Sequence, residues 1–270
     1  MATLIKVASV AEILKTLEKE SDCAVLGGGC GIEKLPPKIL CARKIPELKK
    51  FEKWDRFFSI GAMTTLSELE DKGKRNLPPL LFSAVRETAN RNVRNIATIG
   101  GNVLSSINGT CGTLFSPLCA LDARLEFVRS KGDIRTETKS VPLSRLSEFN
   151  KKGWLLSKII IPNEEWDVRI FKHLGSEGFL DKDSASFSFL ADKQGGGLSA
   201  VRIALSGAVK IRSAEFESRL VGSPIPIQKS RLSEIREAAE RLFDAQENAS
   251  GHHLLKMQFL NLLQNALERL

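Results

Sequence analysis

Ile96-Ala97-Thr98-Ile99-Gly100-Gly101-Asn102 runs from apolar, partly β-branched residues through two glycines into a short amide. Glycine has no Cβ, so a pair of them lets a ligand approach successive backbone N–H groups, which makes this turn a candidate anion cradle. Upstream, the strand-like run Ala24-Val25-Leu26 leads into a second cluster, Gly27-Gly28-Gly29-Cys30-Gly31. Two such turns suit the bracketing of one diphosphate. The approach to the later turn is basic, with Arg86, Arg91 and Arg94 standing against Glu87 alone. That patch suits a phosphate-bearing cofactor at least as well as a nucleic-acid backbone.

The 270 residues around these turns allow two domains and a substantial core, and 42% hydrophobic with 27% charged residues is an ordinary globular composition. The net charge of +8 is dispersed, with acids among the bases in Glu47-Leu48-Lys49-Lys50-Phe51-Glu52-Lys53 and in Arg231 to Glu237. These are solvated faces, so no nucleic-acid partner is expected. No apolar run reaches the roughly 18 residues of a membrane span, and Met1 to Val10 lacks the basic-then-apolar order of a secretory signal. A cytoplasmic protein without a membrane partner is expected. The five cysteines, at 23, 30, 41, 111 and 119, show no C-x-x-C spacing, which predicts reduced structural thiols. His252 and His253 are adjacent, pointing about 100° apart on a helix, and His173 is remote, so no metal site is expected. No residue is assigned as a general acid or base.

Helical spacing of Val10, Ile13, Leu14 and Leu17, with Ser9 and Glu12 as a capping pair, predicts a helix over 8 to 20. Strands are predicted at 23 to 26, 38 to 42 and 57 to 62, and a helix from Thr64. Pro78-Pro79 opens a longer predicted helix reaching about Asn92. A short apolar helix at 117 to 121 precedes a hairpin of strands at 123 to 129 and 134 to 140, then a strand at 155 to 161 closed by Pro162. After a boundary near 163 to 168, strands at 169 to 174, 184 to 191 and 200 to 210 and helices at 230 to 243 and 252 to 269 read as an α+β unit.

Several segments, in order, resemble the flavin-binding medium subunit of the molybdenum hydroxylases, of bacterial xanthine dehydrogenase and carbon monoxide dehydrogenase type. They are Ile45-Pro46-Glu47-Leu48, Ile60-Gly61-Ala62-Met63-Thr64-Thr65-Leu66, Val93 through Asn102, Ala120-Leu121-Asp122-Ala123, Leu155 through Pro162, Phe171-Lys172, Arg202 through Gly207 and Glu217 through Gly222. The resemblance spans nearly the whole chain. It implies an α+β protein: a two-lobed FAD-binding domain of the vanillyl-alcohol-oxidase (PCMH) type over 1–163, with lobes of about 1–55 and 56–163. A smaller C-terminal domain over 168–270, a three-stranded antiparallel sheet plus helices, would cover the flavin.

By the same resemblance, Gly27, Gly28, Gly29, Cys30, Gly31 and Ile32 form the first FAD loop, and Thr98, Gly100, Gly101 and Asn102 the second. Leu156 packs on the isoalloxazine ring, and Lys172 sits near its pyrimidine end, where an ammonium raises the flavin potential. The implied function is electron transfer from [2Fe–2S] clusters of a small partner subunit through FAD to NAD⁺ or another acceptor, the substrate being oxidised on a molybdopterin-containing large subunit. The first loop departs from the family's Ala-Gly-Gly-Thr-Asp, and Ser106 to Thr113 replaces a segment with a flavin-holding aspartate, Thr113 falling nearest that place. These departures define a rival reading, a flavin-free or weakly binding scaffold that only assembles the other subunits. A free-standing flavin oxidase is a further reading, disfavoured by the lack of an acid–base pair.

Overall fold

A computed structural model of the chain describes residues 2–20, 22–30, 32, 34–107, 110–132, 135–175 and 183–270. The first sheet is parallel, with β1 (Thr3–Lys6), β2 (Cys23–Leu26) and β3 (Lys38–Cys41) in the order β1-β3-β2. Helix α1 (Val10–Lys19) crosses from β1 to β2 and buries Ile13 and Leu14 against Leu40, Ala42, Ile45 and Leu48. Its start follows from the sequence. Ser9 Oγ accepts from the Glu12 N–H at 3.2 Å, and the Glu12 carboxylate accepts from the Ala8 N–H at 2.7 Å, one residue before the usual return bond of a capping box.

The second sheet begins with β4 (Phe51–Lys53) and β5 (Phe57–Gly61). Then come α2 (Leu66–Lys72), α3 (Pro79–Glu87), α4 (Arg91–Arg94), α5 (Ile99–Leu104), the two-residue strands β6 (Ser106–Ile107) and β7 (Thr110–Cys111), and α6 (Phe115–Ala120). β8 (Arg124–Ser130), β9 (Thr136–Pro142) and β10 (Leu155–Pro162) complete an antiparallel sheet of order β4-β5-β10-β8-β9. The long helix expected from Pro78 to Asn92 is broken. Ala89 takes a left-handed φ of 57°, and Asn90 restarts the chain as the cap of α4, its side chain accepting from the Val93 N–H at 3.0 Å. Arg94 holds the break by donating to Ala89 O at 2.6 Å.

The third sheet is the meander β11 (Val168–Leu174), β12 (Ala185–Gln194) and β13 (Gly197–Ser206), followed by α7 (Ala214–Ser218), α8 (Lys229–Asp244) and α9 (His253–Glu268). Gly195 and Gly196, at φ 60° and 77°, make the two-residue turn between β12 and β13 that a right-twisted hairpin favours. One face of this sheet, with Phe187, Phe189 and Ile203, packs on Phe243 and Phe259 of the last two helices. The other face meets the second sheet's helices: α6 is buried along its length, and Phe171, Leu190 and Ala204 share a core with Leu81, Val85 and Leu118. Asp122, just after α6, clasps Arg202 at 2.9 Å and Arg212 at 2.8 Å, and Arg212 also pairs with buried Glu217. Among the described residues no helix is long and apolar enough to cross a membrane.

Candidate functional site

β2 delivers Gly27–Cys30 to the seam between the first two sheets, where the backbone of 96–98 comes up from the other side. The fit of the two turns excludes side chains. A Cβ on Gly28 would lie 2.0 Å from Ile96 O, and one on Gly27 would lie 2.5 Å from Thr98 Oγ1. Gly29, at φ +74°, supplies the left-handed step that reverses the chain. The backbone N–H groups of Gly28, Gly29 and Cys30 find no acceptor among the described residues. They are donors available to an anion.

The second turn is built differently. Ile99 N donates to Thr64 O at 3.0 Å, Gly100 N to Ala62 O at 2.9 Å and Asn102 N to Thr98 O at 2.9 Å. Gly101 N donates to Thr98 Oγ1 at 3.1 Å, the side-chain cap of α5. Within the cradle expected at Thr98 to Asn102, the N–H groups of residues 99 to 102 are therefore engaged inside the fold, and Gly100 serves close packing, since a Cβ there would lie 2.7 Å from Ala62 O. What this turn presents outward is side chain. Asn102 Oδ1 accepts from Leu114 N at 2.9 Å and one Nδ2 hydrogen goes to Thr113 Oγ1 at 3.3 Å, leaving the second amide hydrogen for a ligand.

Between the turns lies a cavity of about 1250 Å³, lined by Gly27, Gly28, Gly29, Cys30 and Ile32 on one side and Thr98, Gly100, Gly101, Asn102 and Thr113 on the other. That exceeds the roughly 300–1,000 Å³ of small-ligand pockets. Met63, Leu155 and Leu156 form an apolar stretch of its wall. A β-bulge at Ser157 interrupts the pairing of β10 with β8 directly after Leu156, and Ser157 O accepts from Ala62 N at 2.9 Å. Bulges re-aim neighbouring side chains next to binding sites. Burial pushes the Cys30 thiol up from its ordinary range, against the nearby Arg43, so this thiol stays protonated at neutral pH.

Gly31 lies outside the described residues, and Lys172 does not line the cavity. Side chains alternate along β11, so Phe171 and His173 face the second sheet and the cavity, whereas Lys172 is exposed on the opposite face. The basic patch is also structural. Arg94 pairs with Glu70 at 3.1 Å, Arg86 is 3.9 Å from the same carboxylate, and neither they nor Arg91 reach the cavity. Sequence reading missed Thr88, Met63, His173 and the stacked pair of Arg129 over Trp154 at 4.5 Å, all of which line the cavity. It also missed Gly112, where a Cβ would lie 1.8 Å from Asn102 O.

Two facing glycine turns over a cavity of this volume, the first with N–H donors that no described residue accepts and the second with the Asn102 amide, define a protein that binds a large diphosphate-bearing cofactor. The chain belongs to the family described as the FAD binding domain in molybdopterin dehydrogenase, whose model matches residues 1–164. It is an oxidoreductase subunit of that family, and its cofactor is FAD. The glyceraldehyde dehydrogenase medium chain of Sulfolobus acidocaldarius is 22% identical over 231 residues, covering 82% of this chain and 81% of that protein. Solved structures share the fold. The Cu,Mo-CO dehydrogenase in its cyanide-inactivated form superposes with a TM-score of 0.81 at 20% identity, covering 99% of this chain and 95% of that one. Quinoline 2-oxidoreductase from Pseudomonas putida 86 gives 0.77 at 23%, covering 100% and 95%. The residues present fit FAD: the Gly28–Cys30 donors suit its diphosphate and the apolar wall suits a planar ring.

Proposed function

We propose that this chain is the flavoprotein subunit of a molybdenum hydroxylase complex, receiving electrons from a [2Fe–2S] small subunit and passing them to NAD⁺ or another acceptor. A molybdopterin-containing large subunit would oxidise the substrate. Bound FAD supplies the conversion between two-electron and one-electron chemistry. The chain's part is to hold it: Gly28, Gly29 and Cys30 donate backbone N–H groups to the diphosphate, Asn102 adds a side-chain amide, and Leu156 packs on the ring. Of the β11 side chains, His173 rather than Lys172 is placed to influence the flavin. In domain terms, 1–163 carries the cofactor and 168–270 covers it.

The observation that carries this reading is the row of N–H donors at Gly28–Cys30, which find no acceptor among the described residues and line the same cavity as Asn102. The rival, a flavin-free or weakly binding scaffold, draws on the altered first loop and on Thr113 falling nearest the place of the family's aspartate, and each lost hydrogen bond to a charged group costs about 1.5–3 kcal/mol. A spectrum separates them. The chain purified with its partner subunits, incubated with FAD and desalted, is expected to retain flavin absorbance; loss of all flavin, with the complex intact, would leave the scaffold.

A further inference from the structure

The structure assigns Ser186, on the third sheet, as a positioning residue for the FAD site, acting through Thr113. β12 carries Ser186 and Ser188 on the face opposite Phe187 and Phe189, and both hydroxyls are fully buried against α6. Ser186 Oγ donates to Thr113 O at 2.8 Å. A hydroxyl has one hydrogen, so every neighbouring contact acquires a direction. Ser206, paired with Ser186 across the β12–β13 ladder, must donate to Ser186 at 2.9 Å. Ser116 of α6 also donates to Ser186 at 2.9 Å, and Ser188 must then donate to Ser116 at 2.9 Å.

The same reasoning fixes the cavity end. Thr88 Oγ1 donates to Ala84 O at 2.7 Å, so its 2.9 Å contact with Thr113 is donated by Thr113. Asn102 Nδ2 donates to Thr113 Oγ1 at 3.3 Å. Thr113 is thus clamped at both ends, its carbonyl by Ser186 and its hydroxyl by Thr88. Its hydroxyl hydrogen is engaged, and toward a ligand it offers a lone pair. In turn it orients the Asn102 amide that faces the cavity. The serine chain is one physical link from the C-terminal sheet to the cofactor wall.

The assignment rests on the FAD reading above, and its test is the dissociation constant of FAD for the full chain, freed of flavin, read by flavin fluorescence alongside melting of the flavin-free protein. Ser186→Ala and Ser188→Ala each remove one buried hydroxyl from one face of one strand, so both lower the melting temperature. Only Ser186→Ala unclamps Thr113, and it is expected to weaken FAD binding about tenfold while Ser188→Ala stays within about twofold of the unaltered chain. Equal affinities for the two variants overturn the assignment. Thr88→Val, close in shape and removing the acceptor of the Thr113 hydroxyl hydrogen, is expected to weaken binding similarly; if Ser186→Ala does not fold, unaltered affinity in a folded Thr88→Val chain overturns the assignment. No FAD binding by the unaltered chain overturns the site reading itself and the assignment with it.

Discussion

The two glycine turns look alike in sequence and do different work. The N–H groups of Gly28 to Cys30 find no acceptor among the described residues, whereas Ile99–Asn102 uses the N–H groups of residues 99 to 102 on Thr64, Ala62 and Thr98. Glycine in the first turn lets two backbones touch and reverses the chain; in the second it lets the turn press on Ala62. Glycine content therefore marks close backbone approach, and only the hydrogen-bond inventory tells a cradle from a buttress.

Substitutions at equivalent glycines should separate the two roles. Gly28→Ala, whose Cβ would meet Ile96 O at 2.0 Å, forces the turns apart and should weaken FAD binding by about 100-fold or more, measured by flavin fluorescence. Gly100→Ala presses on Ala62 O at 2.7 Å and should act chiefly on stability, by about 1–3 kcal/mol in denaturant titration, with a smaller change in affinity. Thr98→Val removes the cap of α5 and the partner of Gly101 N, at a cost of about 0.5–2 kcal/mol by the same titration. If Gly100→Ala instead loses flavin as completely as Gly28→Ala while remaining stable, the division of roles fails.

The smallest effect concerns the support beneath the second turn, where Thr65 bridges to Thr98 and caps α2 with Glu68. Burial pushes the Glu68 carboxyl up, but hydrogen bonds from Lys49 at 2.8 Å and Thr65 N at 2.7 Å outweigh it and hold it below its ordinary value. A depressed folded value means a stabilising contribution present above the unfolded pKa of about 4.3 and lost as pH falls through the folded value. Glu68→Gln should thus lower the melting temperature slightly at pH 7 and converge with the unaltered chain in acid. A difference that persists unchanged at low pH would contradict the ionic origin of this support.

Much of this molecule was legible in its sequence. Apolar runs gave β2 and β10, and the segments read as helices gave α8 and α9, each within a residue or two of its bounds. β4 was hidden because Phe51-Glu52-Lys53 is three residues long with two of them charged and exposed. The helix break at Ala89 was hidden because a left-handed alanine leaves no sequence mark; Asn90 as a cap was the available signal. The site was legible as an inventory and not as chemistry. Lys172 and His173 differ by one residue, and a strand sends them to opposite faces, which depends on register. Gly112 and the serines of β12 matter only because distant segments fold against them.

The most direct test is amide hydrogen exchange of the full chain, flavin-free and then saturated with FAD. The amides of Gly28, Gly29 and Cys30 should exchange fast in the flavin-free protein and slow on FAD addition, while those of Ile99 to Asn102 should be protected from the start and change little. Fast exchange at Ile99 to Asn102 that FAD alone suppresses, with Gly28 to Cys30 unaffected, would contradict the account.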